Sequence, residues 1–253
     1  MAGTRNMPEH PCDAFEWLAH LHPEYEAARR RLASQVWAPE QPVLAVKYRE
    51  IIAAVILGYR TYPSVDTHLR RALAAGATLR EILEGFEAAA ILGGFTMLHY
   101  TLPYMIRLHE EFGDTLIDGP NSPKGARSDK VEVEAVEPST GPVSRGMREW
   151  AWLNEIDPQY DNGRREITSF VWTPKHPALP VKIRELAASA VLAYRAFPTV
   201  DGHLRRAVRE GASLMELIEA MEAAALPGGL PVLHYALPYL MRIGAEIEAG
   251  TLR

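Results

Sequence analysis

Residues 49–94 read REIIAAVILGYRTYPSVDTHLRRALAAGATLREILEGFEAAAILGG, and residues 184–231 read RELAASAVLAYRAFPTVDGHLRRAVREGASLMELIEAMEAAALPGGLP. His68 of the first stretch aligns with His203 of the second, and the same shift of 135 residues aligns Trp37 with Trp172. The alignment extends without a gap from about residue 15 to 107, matched to about 150 to 242. Because this period exceeds that of a solenoid unit, the chain is a tandem duplication of a domain-sized unit.

Each copy has the sequence pattern of a helical unit. Pro23 stands at an expected first helical position, and apolar residues then recur every three or four residues up to Trp37. Thr78 and Glu81 have the spacing of a capping box, which predicts the start of another helix. Pro103 lies inside the last helix of the first copy, where it is expected to kink or divide it. The pattern predicts an all-α fold.

The repeat divides the chain into an N-terminal tail at 1–14, a first helical repeat at 15–111, a linker at 112–146 and a second helical repeat at 147–253. The linker is rich in Pro, Gly, Ser and charge. Its segment VEVEAVE, residues 131–137, alternates apolar and acidic residues, which favours either a short edge strand or an extended tether. We expect the two repeats to pack about a pseudo-two-fold axis, since a lone unit would expose too much apolar surface.

Composition excludes several classes of protein. The 253 residues are 47% hydrophobic and 23% charged, as in globular proteins, and the net charge of −5 argues against a nucleic-acid surface. Cys12 is the only cysteine, so the chain forms no internal disulfide, CxxC pair or thiolate zinc cluster. It has neither a signal-peptide pattern nor an apolar run long enough to span a membrane. We therefore expect a cytoplasmic protein without nucleic-acid or membrane partners.

The quoted stretches share an ordered set of motifs: an R-E helix start, a His before an R-A helix, G-A-T or G-A-S with acidic residues, and closing glycines. This set resembles the carboxymuconolactone decarboxylase family, which includes the AhpD-like alkylhydroperoxidases. The resemblance covers the quoted segments and leaves out the N-terminal helices and the linker. It implies two AhpD-like units packed as a pseudo-dimer, in a homo-oligomer such as a trimer of pseudo-dimers.

The residues before the His distinguish the branches of this family. In the peroxidase branch a CxxC ends four residues before the His, and its two thiols carry out the reduction. The corresponding residues here are Thr61 and Ser64 in the first copy and Ala196 and Thr199 in the second. Hydroxyl and methyl groups form no disulfide, so the chain is not a thiol peroxidase.

The decarboxylase branch requires neither thiol nor cofactor, but the Glu-Leu that usually precedes its His is replaced here by Val65-Asp66 and Val200-Asp201. The resemblance implies a cofactor-independent lyase that acts on a small carboxylated lactone or ring-cleavage product. Two alternatives remain open: a non-catalytic protein that binds a small ligand on the same fold, and a metal-dependent enzyme that uses paired histidines.

Two pairs of residues are the candidates for catalysis. His68 and His203 suit a general acid or base, because imidazole exchanges protons near neutral pH. Glu50 and Glu185 match the Glu that belongs to the proton relay with the His in AhpD-like relatives. The structural alternatives are a histidine bonded to a backbone carbonyl and an exposed glutamate at a helix N-terminus.

A second group is predicted to bind substrate. Arg60 and Arg195 lie in the break before the His helix, beside the aromatic rings of Tyr59 and Tyr194. An arginine between aromatic walls could hold a substrate carboxylate, and a solvated loop arginine is the alternative.

His99 and His234 follow the glycine pairs and are also assigned to substrate binding. If His99 converged with His68 and either Glu50 or Glu87, the set would suit a divalent metal. No local spacing typical of metal ligands supports that arrangement, so the sequence predicts no metal and no cofactor.

Two remaining sets are interpreted as structural. Glu87 and Glu222 lie in nearly apolar stretches and are predicted to pair with the arginines of the adjacent His helix. The tryptophans at positions 17, 37, 152 and 172 are interpreted as packing residues.

Overall fold

A computed structural model of the chain describes residues 11–38, 40, 42–113 and 148–252. The first repeat contains α1 (Pro11–Leu21), α2 (Pro23–Trp37), α3 (Val46–Tyr59), α4 (Val65–Ala74), α5 (Leu79–Gly93) and α6 (Thr96–Phe112). The second contains α7 (Arg148–Ile156), α8 (Pro158–Trp172), α9 (Val181–Tyr194), α10 (Val200–Arg209), α11 (Leu214–Gly228) and α12 (Pro231–Glu248).

The described residues contain these twelve helices and no strand, which confirms the predicted all-α class and the tandem duplication. The VEVEAVE segment, for which a strand or a tether was predicted, lies outside the described residues. Among the helices that are described, none combines the length and the hydropathy needed to cross a membrane.

Local sequence signals determine several helix ends. The hydroxyl of Thr78 accepts a hydrogen bond from the backbone N–H of Glu81 at 3.0 Å, and the Glu81 carboxylate accepts one from the N–H of Thr78 at 2.8 Å. Ser213 and Glu216 form the same capping box at the start of α11. Pro103 does not divide α6, which continues as one helix through it.

The two central helices, α3 and α9, are almost completely buried. Every residue from Arg49 to Gly58 is buried in α3, and every residue from Ile183 to Ala193 is buried in α9. A helix that is buried on all sides needs neighbours on every face. α3 packs against α4 of its own repeat and α11 of the other, whereas α9 packs against α10 and α5, and the two central helices also contact each other. The repeats therefore share one core as a pseudo-dimer.

A tight turn connects each central helix to the helix that carries the histidine. Thr61 and Ala196 occupy this turn with φ values of 52° and 51°, in the left-handed region. The backbone N–H of Tyr62 bonds to the carbonyl of Leu57 at 2.9 Å and closes the end of α3. The chain thus reverses direction within a few residues, and α4 lies alongside α3.

Candidate functional site

The pairing of α4 with α3 brings His68 to Glu50. The Nδ1 atom of His68 lies 2.6 Å from Oε2 of Glu50, and the same atoms of His203 and Glu185 are also 2.6 Å apart. Both carboxylates are buried, whereas both imidazole rings are half-buried. The structure therefore brings together, in each repeat, the two side chains that the resemblance links in a proton relay.

This geometry distinguishes the two ring nitrogens. Glu50 and Glu185 engage Nδ1, and no hydrogen bond to Nε2 of either histidine is found within the described part of the chain. A neutral imidazole that donates its Nδ1–H to a carboxylate keeps Nε2 as a proton acceptor, and an imidazolium can donate from Nε2. Nε2 is thus the nitrogen that can exchange a proton with a bound molecule.

A tryptophan packs against each histidine. The ring centroids of Trp37 and His68 are 5.1 Å apart, and those of Trp172 and His203 are 5.4 Å apart. Trp37 and Trp172 are the last residues of α2 and α8, and both are half-buried. Trp17, in contrast, is 61% exposed. All four tryptophans were predicted to be packing residues, and none was predicted to lie beside a histidine. The sequence did not distinguish Trp37 from Trp17, because each aligns with a tryptophan 135 residues later.

An arginine approaches each glutamate from the solvent side. Nη1 of Arg71 lies 4.0 Å from Oε1 of Glu50, and Nε of Arg206 lies 3.1 Å from Oε1 of Glu185. The Arg206 guanidinium also lies 5.4 Å from the centroid of the Trp172 ring. The arginine side chains remain 53% and 43% exposed. Each glutamate therefore contacts a histidine and an arginine, and the arginine keeps access to solvent.

These contacts differ from the predicted pairing of the helix arginines with Glu87 and its counterpart. Arg70 binds Asp66 at 3.0 Å and Glu111 at 2.7 Å, and Arg205 makes the equivalent contacts in the second repeat. The prediction was wrong because the arginines of the His helix meet other carboxylates, on α3, α4 and α6 and their counterparts.

The arginines that were predicted to anchor a carboxylate contact the opposite repeat. Nη1 of Arg60 donates to the carbonyl oxygen of Pro227, near the end of α11, and Nη1 of Arg195 donates to that of Leu92, near the end of α5. Both arginines are exposed. They link the two repeats at the surface, and their role in substrate binding stays a prediction.

Tyr59 and Tyr194 meet between the repeats. Their ring centroids are 5.6 Å apart with an interplanar angle of 73°, an edge-to-face contact. Tyr59 lies nine positions after Glu50 in the same helix, which corresponds to about 14 Å along the axis. The tyrosines thus lie at the other end of the central helices from the His–Glu pairs, and their assignment to substrate binding also stays a prediction.

His99 and His234 are exposed near the starts of α6 and α12. Within the described residues, no group of three or more His, Cys, Asp or Glu side chains is arranged to hold a metal ion. The structure therefore does not bring His99 together with His68 and a carboxylate, as the metal hypothesis requires. Substrate binding by His99 and His234 stays a prediction.

A buried arginine lies next in sequence to the glutamate of each site and binds backbone carbonyls near that site. In Arg49, Nε donates to the carbonyl of Leu44 at 2.8 Å, Nη1 donates to that of Val36 at 2.9 Å, and Nη2 lies 2.5 Å from Oε2 of Glu219. Arg184 repeats this arrangement in the second repeat. No role was predicted for these arginines beyond the R-E motif, although a charge that precedes an apolar run indicates a buried partner.

Comparison with known proteins agrees with this architecture. The model of the carboxymuconolactone decarboxylase family matches residues 23–105 and 158–241. A crystal structure from Burkholderia xenovorans LB400, of a protein provisionally named a gamma-carboxymuconolactone decarboxylase subunit, is 22% identical and has a TM-score of 0.53. The match covers 97% of this chain and 93% of that chain, and at this identity it shows the fold alone. No curated protein matches the chain.

Proposed function

The chain belongs to the carboxymuconolactone decarboxylase family, and we propose that it is a cofactor-independent lyase that removes a carboxyl group from a small carboxylated lactone or ring-cleavage product. The observation that carries this proposal is the His–Glu pair, with 2.6 Å between Nδ1 and Oε2, which occurs in both repeats. Each pair combines a half-buried proton carrier with a buried carboxylate that orients it, as acid–base catalysis requires.

In the proposed reaction the bond between the carboxylate carbon and its neighbour breaks, carbon dioxide leaves, and the electron pair passes into the conjugated lactone. His68 or His203 then donates the proton on Nε2 to the carbon that carries this electron pair. The imidazole regains a proton from solvent, so each turnover consumes one proton and releases one carbon dioxide. Glu50 and Glu185 keep Nδ1 engaged, which leaves Nε2 directed at the substrate.

Arg71 and Arg206 are the arginines that we assign to the substrate carboxylate. Arg206 uses Nε for Glu185 and lies over the Trp172 ring, so its two terminal amino groups are available for a bidentate contact with an anion. The assignment is supported by the contact of Arg206 with Glu185 and by that of Arg71 with Glu50, because these contacts place each arginine beside a His–Glu pair. Arg60 and Arg195 are the competing assignment from the sequence.

A non-catalytic protein that binds a small carboxylate is the second candidate. The residues that precede the histidines favour it, because Val65 stands in the position of the usual Glu, and Asp66, which follows it, is held by Arg70 at 3.0 Å. Asp201 is held in the same way by Arg205. Assembly as a homo-oligomer and a cytoplasmic location remain predictions.

The experiment that tests the proposal is release of carbon dioxide from a series of carboxylated lactones. The double variant His68→Gln/His203→Gln is expected to lose at least about 100-fold in turnover, the contribution typical of general acid–base catalysis. His20→Gln serves as the matched control, since His20 is exposed. Unchanged turnover in the double variant would contradict the catalytic role of the histidines. Thermal stabilisation by small carboxylates, with no lactone turned over by the wild type, would favour the second candidate.

A further inference from the structure

We infer that Glu84 and Glu219 are positioning residues for the site of the opposite repeat. Glu84 belongs to the first repeat and supports the site of His203, whereas Glu219 belongs to the second repeat and supports the site of His68. The inference rests on the proposed function, because it concerns the same two His–Glu pairs. It implies that each site needs both repeats.

Glu84 reaches from α5 into the second repeat. Its Oε2 atom forms an ion pair with Nη2 of Arg184 and accepts a hydrogen bond from the backbone N–H of Leu179 at 2.6 Å. Its Oε1 atom accepts a hydrogen bond from the N–H of Ala178 at 3.1 Å. The side chain of Arg184 is 1% exposed. The glutamate therefore holds both the buried guanidinium and the backbone that leads into α9.

Glu219 makes the same contacts in the opposite direction. Its Oε2 atom lies 2.5 Å from Nη2 of Arg49 and accepts a hydrogen bond from the N–H of Leu44, also at 2.5 Å. Its Oε1 atom accepts a hydrogen bond from the N–H of Val43 at 3.3 Å. The two ion pairs are thus related by the pseudo-two-fold axis, and each joins one repeat to the other.

The buried arginine connects this ion pair to the site. Nη1 of Arg184 donates to the carbonyl of Val171 at 2.9 Å, and Val171 immediately precedes Trp172, whose ring packs on His203. Arg184 also immediately precedes Glu185, which binds the same histidine. One guanidinium therefore links the end of α8, which carries Trp172, to Leu179 in the segment that leads into α9. The charge that pairs with this guanidinium comes from Glu84.

Low polarity makes this support strong. A buried charge that loses its partner strongly destabilises the fold, so the guanidinium must move or find another partner. Movement of Arg184 would release the carbonyl of Val171 and displace Trp172 and Glu185 around His203. Misplacement of catalytic groups by about 1 Å can lower a rate about 100-fold. Removal of the Glu84 charge should therefore damage the second site and leave the first site intact.

Half-site variants of the full chain test the inference. His68→Gln leaves only the second site active, and His203→Gln leaves only the first. Glu84→Gln is expected to lower kcat at least about tenfold in the His68→Gln background and less than about twofold in the His203→Gln background. Glu219→Gln should do the reverse. Glu110→Gln, which changes an exposed carboxylate, is the control.

Histidine ring NMR gives a readout that does not need turnover. Because the Trp172 ring shifts the resonances of His203, Glu84→Gln should move the ring signals of His203 and leave those of His68 in place. If Glu84→Gln unfolds the protein, Glu84→Leu/Arg184→Met replaces the whole pair with apolar side chains, which proteins often tolerate. This double variant should also move the ring signals of His203 and leave those of His68 in place.

The possible results separate the two proposals. Crosswise NMR shifts without any lactone turnover would support the positioning role and count against the proposed reaction. If turnover depends on the histidines but Glu84→Gln affects both sites equally, the positioning role alone is overturned. The same holds if Glu84→Gln affects neither site. A larger effect of Glu84→Gln on the first site would also overturn it.

Discussion

The indole ring of Trp37 packs on the imidazole ring of His68, with 5.1 Å between the centroids and 52° between the ring planes. Trp172 and His203 repeat the contact at 5.4 Å and 45°. α2 and α8 therefore contribute to the two sites, although they lie outside the motif that carries the family resemblance. The contact restricts rotation of the imidazole ring and thereby favours the orientation in which Nδ1 meets the glutamate.

Replacement of the tryptophan beside the histidine should weaken the site more than it weakens the fold. Trp37→Ala, measured in the His203→Gln background, is expected to lower kcat/KM about 2- to 12-fold, because a specific aromatic pair contributes about 0.5–1.5 kcal/mol. Trp37→Phe should retain most of the activity. Trp17→Ala, at a mostly exposed position, is the control. Equal kcat/KM for Trp37→Ala/His203→Gln and its His203→Gln parent would show that the indole only fills space.

Loss of the arginine beside the glutamate should affect carboxylated substrates selectively. Arg206→Gln in the His68→Gln background is expected to raise KM about 10- to 100-fold, since a hydrogen bond to a charged group contributes about 1.5–3 kcal/mol. A methyl ester of the same substrate should bind equally well to the His68→Gln protein with and without Arg206→Gln. This control separates loss of the anion contact from a general distortion of the site. A raised KM in Arg195→Gln, without one in Arg206→Gln, would return the anchoring role to Arg195.

Glu87 should make stability depend on pH. Burial raises the pKa of its carboxyl group, and the Glu84 carboxylate raises it further, against the effect of Arg184. Because the folded pKa exceeds the unfolded value, ionised Glu87 destabilises the fold at neutral pH. This penalty disappears as the pH falls through the folded pKa towards the ordinary value of 4.5.

Glu87→Gln is therefore expected to raise the free energy of unfolding at pH 7.5 by less than about 1 kcal/mol, since the group keeps partial access to water. Urea unfolding at several pH values measures this difference, which should shrink towards pH 4.5. Glu24→Gln, at an exposed position, is the control. A difference that stays constant with pH would contradict the assigned cause.

The turn before α4 contains removable strain. Thr61 has a φ of 52°, and a left-handed conformation costs a residue with a side chain about 1–2 kcal/mol. Thr61→Gly removes that cost, but the added conformational entropy of glycine lowers the free energy of the unfolded chain by about 0.4–1 kcal/mol. The variant should therefore be more stable by about 1 kcal/mol or less, as measured by urea unfolding. A clear loss of stability would mean that the threonine side chain stabilises the turn by more than its backbone strain costs.

Sequence alone determined the fold class and the duplication. The shift of 135 residues revealed two units, and signals such as the Thr78–Glu81 capping box located helix ends, because these depend on residues a few positions apart. The link between His68 and Glu50 came from the family resemblance, and the structure brought the two side chains together. Spacing within one helix is a local property, so it can be read from the chain.

Only the tertiary structure decided which distant side chains meet. Arg71 lies beside Glu50 and not Glu87, Trp37 packs on His68, and Arg49 takes its partner Glu219 from the other repeat. These contacts depend on which helix faces pack together in the shared core, and many arrangements are compatible with one pattern of apolar residues. The sequence therefore specified two helical units, whereas their interlocking, which decides the surroundings of each histidine, became visible only when the helices were placed in three dimensions.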